Sequence, residues 1–268
     1  MAKFDNIIIV TDLDGTFFDD NSKPTTNNVD AVKYFTANGG HFSFSTGRNE
    51  SILKKIIPDT ICLNNMPAIL SNGAYLYDFS TDKRSEEVTL PSDAVRRFVN
   101  RVEEKFPGIG IRWNVEEGFV TYNLKNLSKY DLLVYRDSLP EYDKDKVFTM
   151  KLYKAVFSAA EDKLQEIKEY AASVNEDNFS LVITAPNLFE IMHKDATKGK
   201  ALAKLKKHLG LQDAKVYAVG DYENDYDMLK SADVAVCPSN SLDIIKEIAD
   251  LQVCSNNQGA LADLISRL

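Results

Sequence analysis

The chain has 268 residues, with 32 Lys+Arg against 40 Asp+Glu for a net charge of −8, and 44% of it is hydrophobic. That composition builds a real core and excludes disordered and fibrous classes, while the acidic balance argues against a nucleic-acid or anionic-membrane partner. No apolar run approaches the roughly 20 residues a bilayer needs, the first residues lack the apolar stretch of a secretion signal, and Cys62, Cys237 and Cys254 make no disulfide framework; a cytoplasmic protein of about two domains is expected.

From the N-terminus, residues 6–10 are a continuous apolar, β-rich run of the kind buried on both faces of a parallel sheet. Val29, Val32 and Phe35 at helical spacing predict a helix over 25–38, stopped by Gly39-Gly40 and followed by a strand over 41–45. Strand, helix and strand in that order imply a right-handed crossover. Between 87 and 184 the pattern changes. Strands are predicted over 87–90, 110–114, 119–123, 150–158 and 179–184, separated by amphipathic 92–106 (Val95, Phe98, Val99, Val102) and 162–174 (Leu164, Ile167, Ala171). The first grammar then returns: a helix over 200–209 with Leu202, Leu205 and Leu209 on one side and Gly210 as its C-cap, then a strand over 215–219. A short helix over 225–231, a strand over 234–237, a helix over 241–249 with Leu242, Ile245 and Ile248 inward, and a helix over 260–268 close the chain.

The expected fold class is therefore α/β. A doubly wound, mainly parallel, Rossmann-like sheet is predicted from 1–83 plus 187–268, with an α+β domain of mainly antiparallel neighbours inserted over 84–186. An insertion of this kind leaves a cleft, a usual place for a ligand.

Asp12-Leu13-Asp14-Gly15-Thr16 comes straight off the first strand, so two carboxylates project from the sheet edge where open α/β folds bind ligands. One could hold a hard cation and attack an electrophile while the other handles protons; the plainer reading is an Asx-rich turn that ends a strand. The position of Gly15 does not suit a calcium-binding EF-hand. Thr46-Gly47, at the end of the second strand, offers a hydroxyl and backbone N–H groups to a phosphoryl oxygen, or simply caps a helix. Gly220-Asp221-Tyr222-Glu223-Asn224-Asp225 is a second acidic strand end. Asp221 is placed as a metal ligand with Asp225 as a further candidate, while Asn224 and Asp225 could instead stand behind the ion or face phosphate. An acidic helix start that suits the dipole is the alternative. Carboxylates gathered at one cleft repel unless a cation joins them. Oxygen-only ligands select Mg²⁺, and His41, His193 and His208 show no zinc spacing. Lys198 lies in the first turn of a helix, where the dipole disfavours a cation, and would supply the positive charge that a phosphoryl group in transit needs.

Taken in order, Asp12-Leu13-Asp14-Gly15-Thr16, Thr46-Gly47-Arg48, Lys198-Gly199 and Gly220-Asp221 followed by Asn224-Asp225 resemble the motifs of the haloacid dehalogenase superfamily. The insertion between the second and third motifs resembles the type IIB, Cof-like cap, and Ser71-Asn72-Gly73-Ala74 is similar to the family's substrate-bordering loop. Phe17-Phe18, Tyr222 and the segment 238–241 depart from the family pattern without removing a catalytic group. The resemblance implies an Mg²⁺-dependent phosphatase of small phosphorylated metabolites, sugar phosphates above all. Asp12 would attack phosphorus and form an aspartyl-phosphate, and Asp14 would protonate the leaving oxygen and then deprotonate water. Asp12, Asp14 (through its backbone carbonyl), Asp221 and Asp225 would hold the metal; Thr46, Gly47, Asn72, Lys198 and Asn224 would bind the phosphate and substrate, and closure of the cap would exclude water. No partner beyond the small phosphorylated substrate is implied, and a monomer or weak homodimer is expected.

Three other functions fit less well. A phosphosugar mutase shares the fold and first motif and would need a bisphosphate activator. A phosphometabolite sensor would not need Asp14. A glycosidase needs carboxyls on opposite sides of a sugar, which two residues on one turn do not provide. In the cap, Trp113, Arg112, Tyr122 and Tyr153 are candidates to line the cleft, although aromatics at strand spacing also read as core, and the cysteines read as buried small hydrophobes. Arg48 could meet a second anionic group or make an ordinary surface ion pair.

Overall fold

The computed structural model describes residues 2–127, 140–177, 179–185 and 187–268. The chain divides into two compact units, Met1–Glu87 with Ala196–Leu268, and Val88–Asp195.

Five parallel strands in the order β13-β12-β11-β1-β2 form the base of the first unit. These are β1 (Ile7–Thr11), β2 (His41–Phe44), β11 (Lys215–Val219), β12 (Val234–Pro238) and β13 (Leu251–Val253). Central β1 pairs Ile8 with His41 on one side and with Val216 on the other. A strand with partners on both edges and cover on both faces has no polar side to show, which explains its unbroken apolar run. Ile8 and Val10 pack with Val216 and Ala218 against Leu202 and Leu205 of α6 (Lys198–Leu209) and Met228 and Leu229 of α7 (Tyr226–Ser231). A separate aromatic group joins Phe35 of α1 (Thr26–Ala37) to Phe4, and Phe42 and Phe44 of β2 to Phe17. α1 itself packs on α9 (Ala260–Ser266).

The helix ends follow the local chemistry. The Thr25 and Thr197 hydroxyls accept the Asn28 and Lys200 N–H groups at the starts of α1 and α6, and left-handed Gly210 ends α6. The helix expected over 241–249 is cut to one turn, α8 (Asp243–Lys246), with Ile245 buried. Its flanks are drawn elsewhere: the Leu242 N–H donates to the Asp221 carbonyl and the Asp250 N–H to the Ala235 carbonyl. A small antiparallel sheet not foreseen in the sequence, β3 (Ala68–Leu70), β4 (Tyr75–Asp78) and β5 (Lys83–Ser85), continues from β2 through a bridge between Ser45 and Ile69.

The second unit carries an antiparallel sheet in the order β7-β6-β8-β10-β9, made of β6 (Gly110–Val115), β7 (Gly118–Tyr122), β8 (Leu152–Ser158), β9 (Ser180–Ala185) and β10 (Leu188–Met192). On β6, Ile111, Trp113 and Val115 enter the apolar core with Phe98 and Val102 of α3 (Ser92–Lys105) and Leu164 and Ile167 of α5 (Glu161–Ser173), so Arg112 and Asn114 take the opposite face. The strand expected over 87–90 is reduced to a single bridge from Leu90 to Leu152. The unit is also displaced from the expected 84–186: β5 stays with the first unit, and β10, missed in the sequence, pairs with β8 and β9 and extends the second to Asp195. The expected limit at 186 lies outside the described residues. Among the described residues no helix is long and apolar enough to cross a membrane.

Candidate active site

β1 delivers Asp12 in extended backbone conformation, after which the chain turns through Leu13–Phe17. Gly15 makes that turn possible twice over. Its φ is +76°, and a Cβ there would stand 2.4 Å from Asp221 Oδ2, so only glycine lets the loop lie against the carboxylate at the end of β11. The Thr16 hydroxyl closes the approach by donating to Asp221 Oδ1 at 2.6 Å.

Lys198, fully buried at the start of α6, donates from Nζ to Asp12 Oδ1 and to Asp225 Oδ1, both at 2.6 Å. Asp225 Oδ2 in turn accepts the Asp221 and Tyr222 N–H groups at 3.0 and 3.2 Å. Asp12, Asp221 and Asp225 each present a carboxylate oxygen within 4.8 Å of the others. Both Asp225 oxygens already serve the protein, which leaves Asp12 and Asp221 the freer donors and makes Asp225 the anchor of Lys198. Burial pushes the Asp12 carboxyl well above its ordinary value against the pull of Lys198, with the neighbouring aspartates adding to the rise. Asp221 is raised by burial to about 6, the Thr16 hydroxyl holding it back. Burial works against the Lys198 ammonium, but Asp12 and Asp225 outweigh it and hold its pKa above the usual lysine value. Three buried carboxylates served by one ammonium are short of positive charge. With oxygen ligands alone, the donor set fits a hard divalent cation.

The phosphate-loop candidates meet through a strained turn. Ser71, Asn72 and Gly73 have φ of +50°, +56° and +92° in succession, a conformation that non-glycine residues hold only under constraint. The Asn72 N–H donates to the Thr46 carbonyl and the Ser71 N–H to the Arg48 carbonyl, both at 3.0 Å. Asn224 Nδ2 donates to Asn72 Oδ1 at 3.3 Å. Gly47 and Gly73 are required by contact: a Cβ would come within 2.9 Å of Asn72 Oδ1 at the first and 2.2 Å of the Thr197 carbonyl at the second. Thr46, Gly47, Asn72, Asn224 and the start of α6 are thus locked together.

The Asp14 carboxylate, expected to handle protons while its backbone carbonyl meets the metal, lies outside the acidic cluster and is gripped by Arg48, whose Nε donates to Oδ2 at 2.9 Å and Nη2 to Oδ1 at 2.6 Å. Sequence reasoning allowed Arg48 an ion pair but did not name its partner, because residues 34 apart on different loops carry no shared local signal. It also missed Asn240, whose Nδ2 donates to the Gly15 carbonyl at 2.8 Å.

Of the residues that could line the cleft or build the core, Trp113 takes the core. Trp113 packs in the second unit's core with Phe148, ring centroids 5.6 Å apart, and Tyr153 is buried. Tyr122 donates to Glu103 Oε1 at 2.5 Å, while Arg112 donates to Asn114 Oδ1 at 2.8 Å. Of the cysteines expected inside, Cys237 is buried, Cys254 half-buried and Cys62 exposed, its short turn lying on the surface.

A parallel sheet with acidic strand ends, a buried lysine and a separate α+β unit defines a class of hydrolase. The model of the haloacid dehalogenase-like hydrolases matches residues 9–265. The proposed phosphatase YxeH of Bacillus subtilis (strain 168) is 26% identical over 268 residues, covering 97% of each chain. From the same organism, 5-amino-6-(5-phospho-D-ribitylamino)uracil phosphatase YitU is 24% identical over 276 residues, covering 95% of this chain and 94% of its own. Among solved structures, a haloacid dehalogenase-like hydrolase from Bacteroides thetaiotaomicron superposes with a TM-score of 0.86 at 20% identity over 99% of both chains. A subclass IIB sugar phosphatase gives 0.80 at 17% identity over 97% of this chain and 98% of its own. The chain belongs to the haloacid dehalogenase-like hydrolase family.

Proposed function

We propose that the protein is an Mg²⁺-dependent phosphatase that hydrolyses phosphomonoesters of small metabolites, sugar phosphates in particular, through an aspartyl-phosphate on Asp12. The observation that carries this reading is the buried Lys198 held between Asp12 and Asp225, with Asp221 in the same cluster. A carboxylate kept on a cation at the end of a parallel strand is oriented for attack, and its burial lowers the cost of desolvation on approach.

Asp12 attacks phosphorus; an Asp12 O–P bond forms as the ester P–O bond breaks, and the departing oxygen takes a proton from Asp14. Water then attacks the phosphoenzyme, Asp14 accepts its proton, and Asp12 is released with inorganic phosphate. Such proton transfer contributes about 10²–10⁴-fold. Thr46, Gly47 and Asn72 line the position of the phosphoryl oxygens with hydroxyl and amide donors, and Lys198 neutralises charge that builds there. Asp12 and Asp221, with Asp225 behind them, would hold the Mg²⁺, which supplies charge neutralisation between an anionic nucleophile and a phosphate dianion. For Asp14 to act, its carboxyl has to leave Arg48. The sugar-phosphate class is supported by the relatives: one acts on a phosphoribitylamino pyrimidine and one structural neighbour is a sugar phosphatase.

The test is phosphate release from p-nitrophenyl phosphate with Mg²⁺ and with EDTA, repeated with Asp12→Asn. Loss of turnover in both arms, with Mg²⁺ restoring the wild type after chelation, is expected. Turnover that survives chelation and substitution overturns the mechanism.

A further inference from the structure

Asp12 and Asp14 are two residues apart and end in opposite settings. Asp12 is buried on Lys198, while the Asp14 side chain is 49% exposed and held by Arg48. Arg48 is the less exposed partner of that pair. Its side chain is 15% exposed, and its backbone is tied into the phosphate loop, the main-chain N–H donating to Thr46 Oγ1 at 3.2 Å and the main-chain carbonyl accepting the Ser71 N–H at 3.0 Å. The more exposed partner is the carboxylate. It rides on a turn whose next residue, Gly15, has a φ of +76°, and both of its oxygens accept from Arg48 in a fork that fits any planar oxyanion.

We propose that Arg48 is a latch on Asp14 that a second anionic group of the substrate opens, so the favoured substrates are phosphomonoesters carrying a further carboxylate or phosphate. The proposal rests on the phosphatase reading above. The exchange conserves charge, since the incoming oxyanion replaces Asp14 on the same N–H groups and Asp14 swings free toward the reacting ester. An ion pair with a half-exposed carboxylate is weak enough to be displaced in this way. The reacting phosphoryl group does not need Arg48 for itself, because Lys198 and the 46–47 loop already face the buried cluster. Arg48 acts on the chemistry through Asp14 and is therefore a positioning residue as well as a reader of the substrate.

A pair of probes with the same two-carbon chain separates the two roles: phosphoglycolate, with a carboxylate, and 2-hydroxyethyl phosphate, without one. The wild type is expected to favour phosphoglycolate by about tenfold in kcat/KM, the scale of one charge-assisted contact. Arg48→Gln should erase that preference by lowering phosphoglycolate turnover, while raising kcat on 2-hydroxyethyl phosphate roughly two- to threefold as the latch disappears. Arg48→Lys, which keeps the charge but not the fork, should retain an intermediate preference and serves as the second variant if the first fails to fold. Equal losses on both probes, or a wild type that does not discriminate, overturn the latch. No phosphate release from any ester, p-nitrophenyl phosphate included, overturns the phosphatase reading and the latch with it; release without discrimination overturns the latch alone.

Discussion

The two sheets handle side chains in opposite ways. In the first unit, parallel β1 and β11 are apolar along their length and turn polar only where they end, so Asp12 and Asp221 arrive at one edge. In the second, antiparallel β6 alternates, sending Trp113 into an apolar core and Arg112 and Asn114 to the other face. Chemistry gathers at strand ends in one sheet and polar character spreads along the strands in the other. The first unit is therefore sensitive in activity and the second in stability, and each substitution below is aimed at one side of that contrast.

The largest effect is expected from Lys198→Met. It removes the cation shared by Asp12 and Asp225 and leaves two carboxylates buried without it. Breaking a buried pair from one side costs about 3–5 kcal/mol, and losing the charge proposed to face phosphate should cut kcat/KM by about 10³-fold or more. The signature is partial recovery of the denaturation midpoint in added Mg²⁺ without recovery of activity. A variant as stable as the wild type at neutral pH would mean that the cluster is far more hydrated than its burial indicates.

Trp113→Ala breaks the other unit. The indole is fully buried against Phe148, and truncating such a side chain costs about 3–5 kcal/mol. Urea denaturation should show that loss while kcat per folded molecule changes less than twofold. A selective fall in kcat/KM for one substrate over another would instead restore Trp113 to the cleft, where sequence spacing first allowed it.

Asp221→Asn sets function against stability at a single atom. Burial raises the Asp221 carboxyl from 3.8 to about 6, so the folded protein keeps a proton that the unfolded chain has lost. The stabilising contribution is complete below about pH 4 and disappears as pH rises through about 6. At pH 7.5 the metal-free wild type carries that penalty, on the order of 2–3 kcal/mol. The asparagine variant should therefore be more stable by about 2 kcal/mol in EDTA at pH 7.5, with the difference closing toward pH 4, and it should be inactive. Mg²⁺ should raise the wild-type midpoint by mass action and leave the variant's little changed. A variant less stable than the wild type in EDTA at pH 7.5 would show that the Asp221 charge is neutralised by the protein alone.

How much of this was legible in the sequence follows the same contrast. The strand ends were readable because an apolar run that stops at Asp12 or Asp221 marks both the element and its polar edge. The helix faces were readable because Val95, Phe98, Val99 and Val102, or Leu202 and Leu205, recur at helical spacing. What stayed hidden was set by contacts distant in sequence. Nothing local distinguishes Asp14 on Arg48 from Asp12 on Lys198. The left-handed run at Ser71-Asn72-Gly73 is imposed by Thr46, Arg48 and Thr197 across three loops. β10 was lost because it directly follows β9, and Trp113 was left between cleft and core because period two does not say which face is the core.

The smallest expected effect tests the best-hidden part of the site. Among the loop carbonyls that no strand or helix serves, Gly15 is reached by Asn240 Nδ2 at 2.8 Å and Phe18 by Asn256 Nδ2 at 3.0 Å. The two amides are linked, since the Asn256 N–H donates to Asn240 Oδ1 at 2.9 Å. Asn240 is exposed and Asn256 buried, so the same chain of bonds should respond differently at its two ends. Asn240→Ala lets water replace the amide, so the denaturation midpoint should barely move; the loop behind Asp14 slackens, and a loss on the scale of one neutral hydrogen bond, about 1 kcal/mol, lowers kcat three- to tenfold with KM unchanged. Asn256→Ala instead orphans buried partners and should cost about 1–3 kcal/mol of stability. If Asn240→Ala leaves kcat at the wild-type value, the turn is held by Gly15 against Asp221 alone, and the asparagine relay only closes the surface.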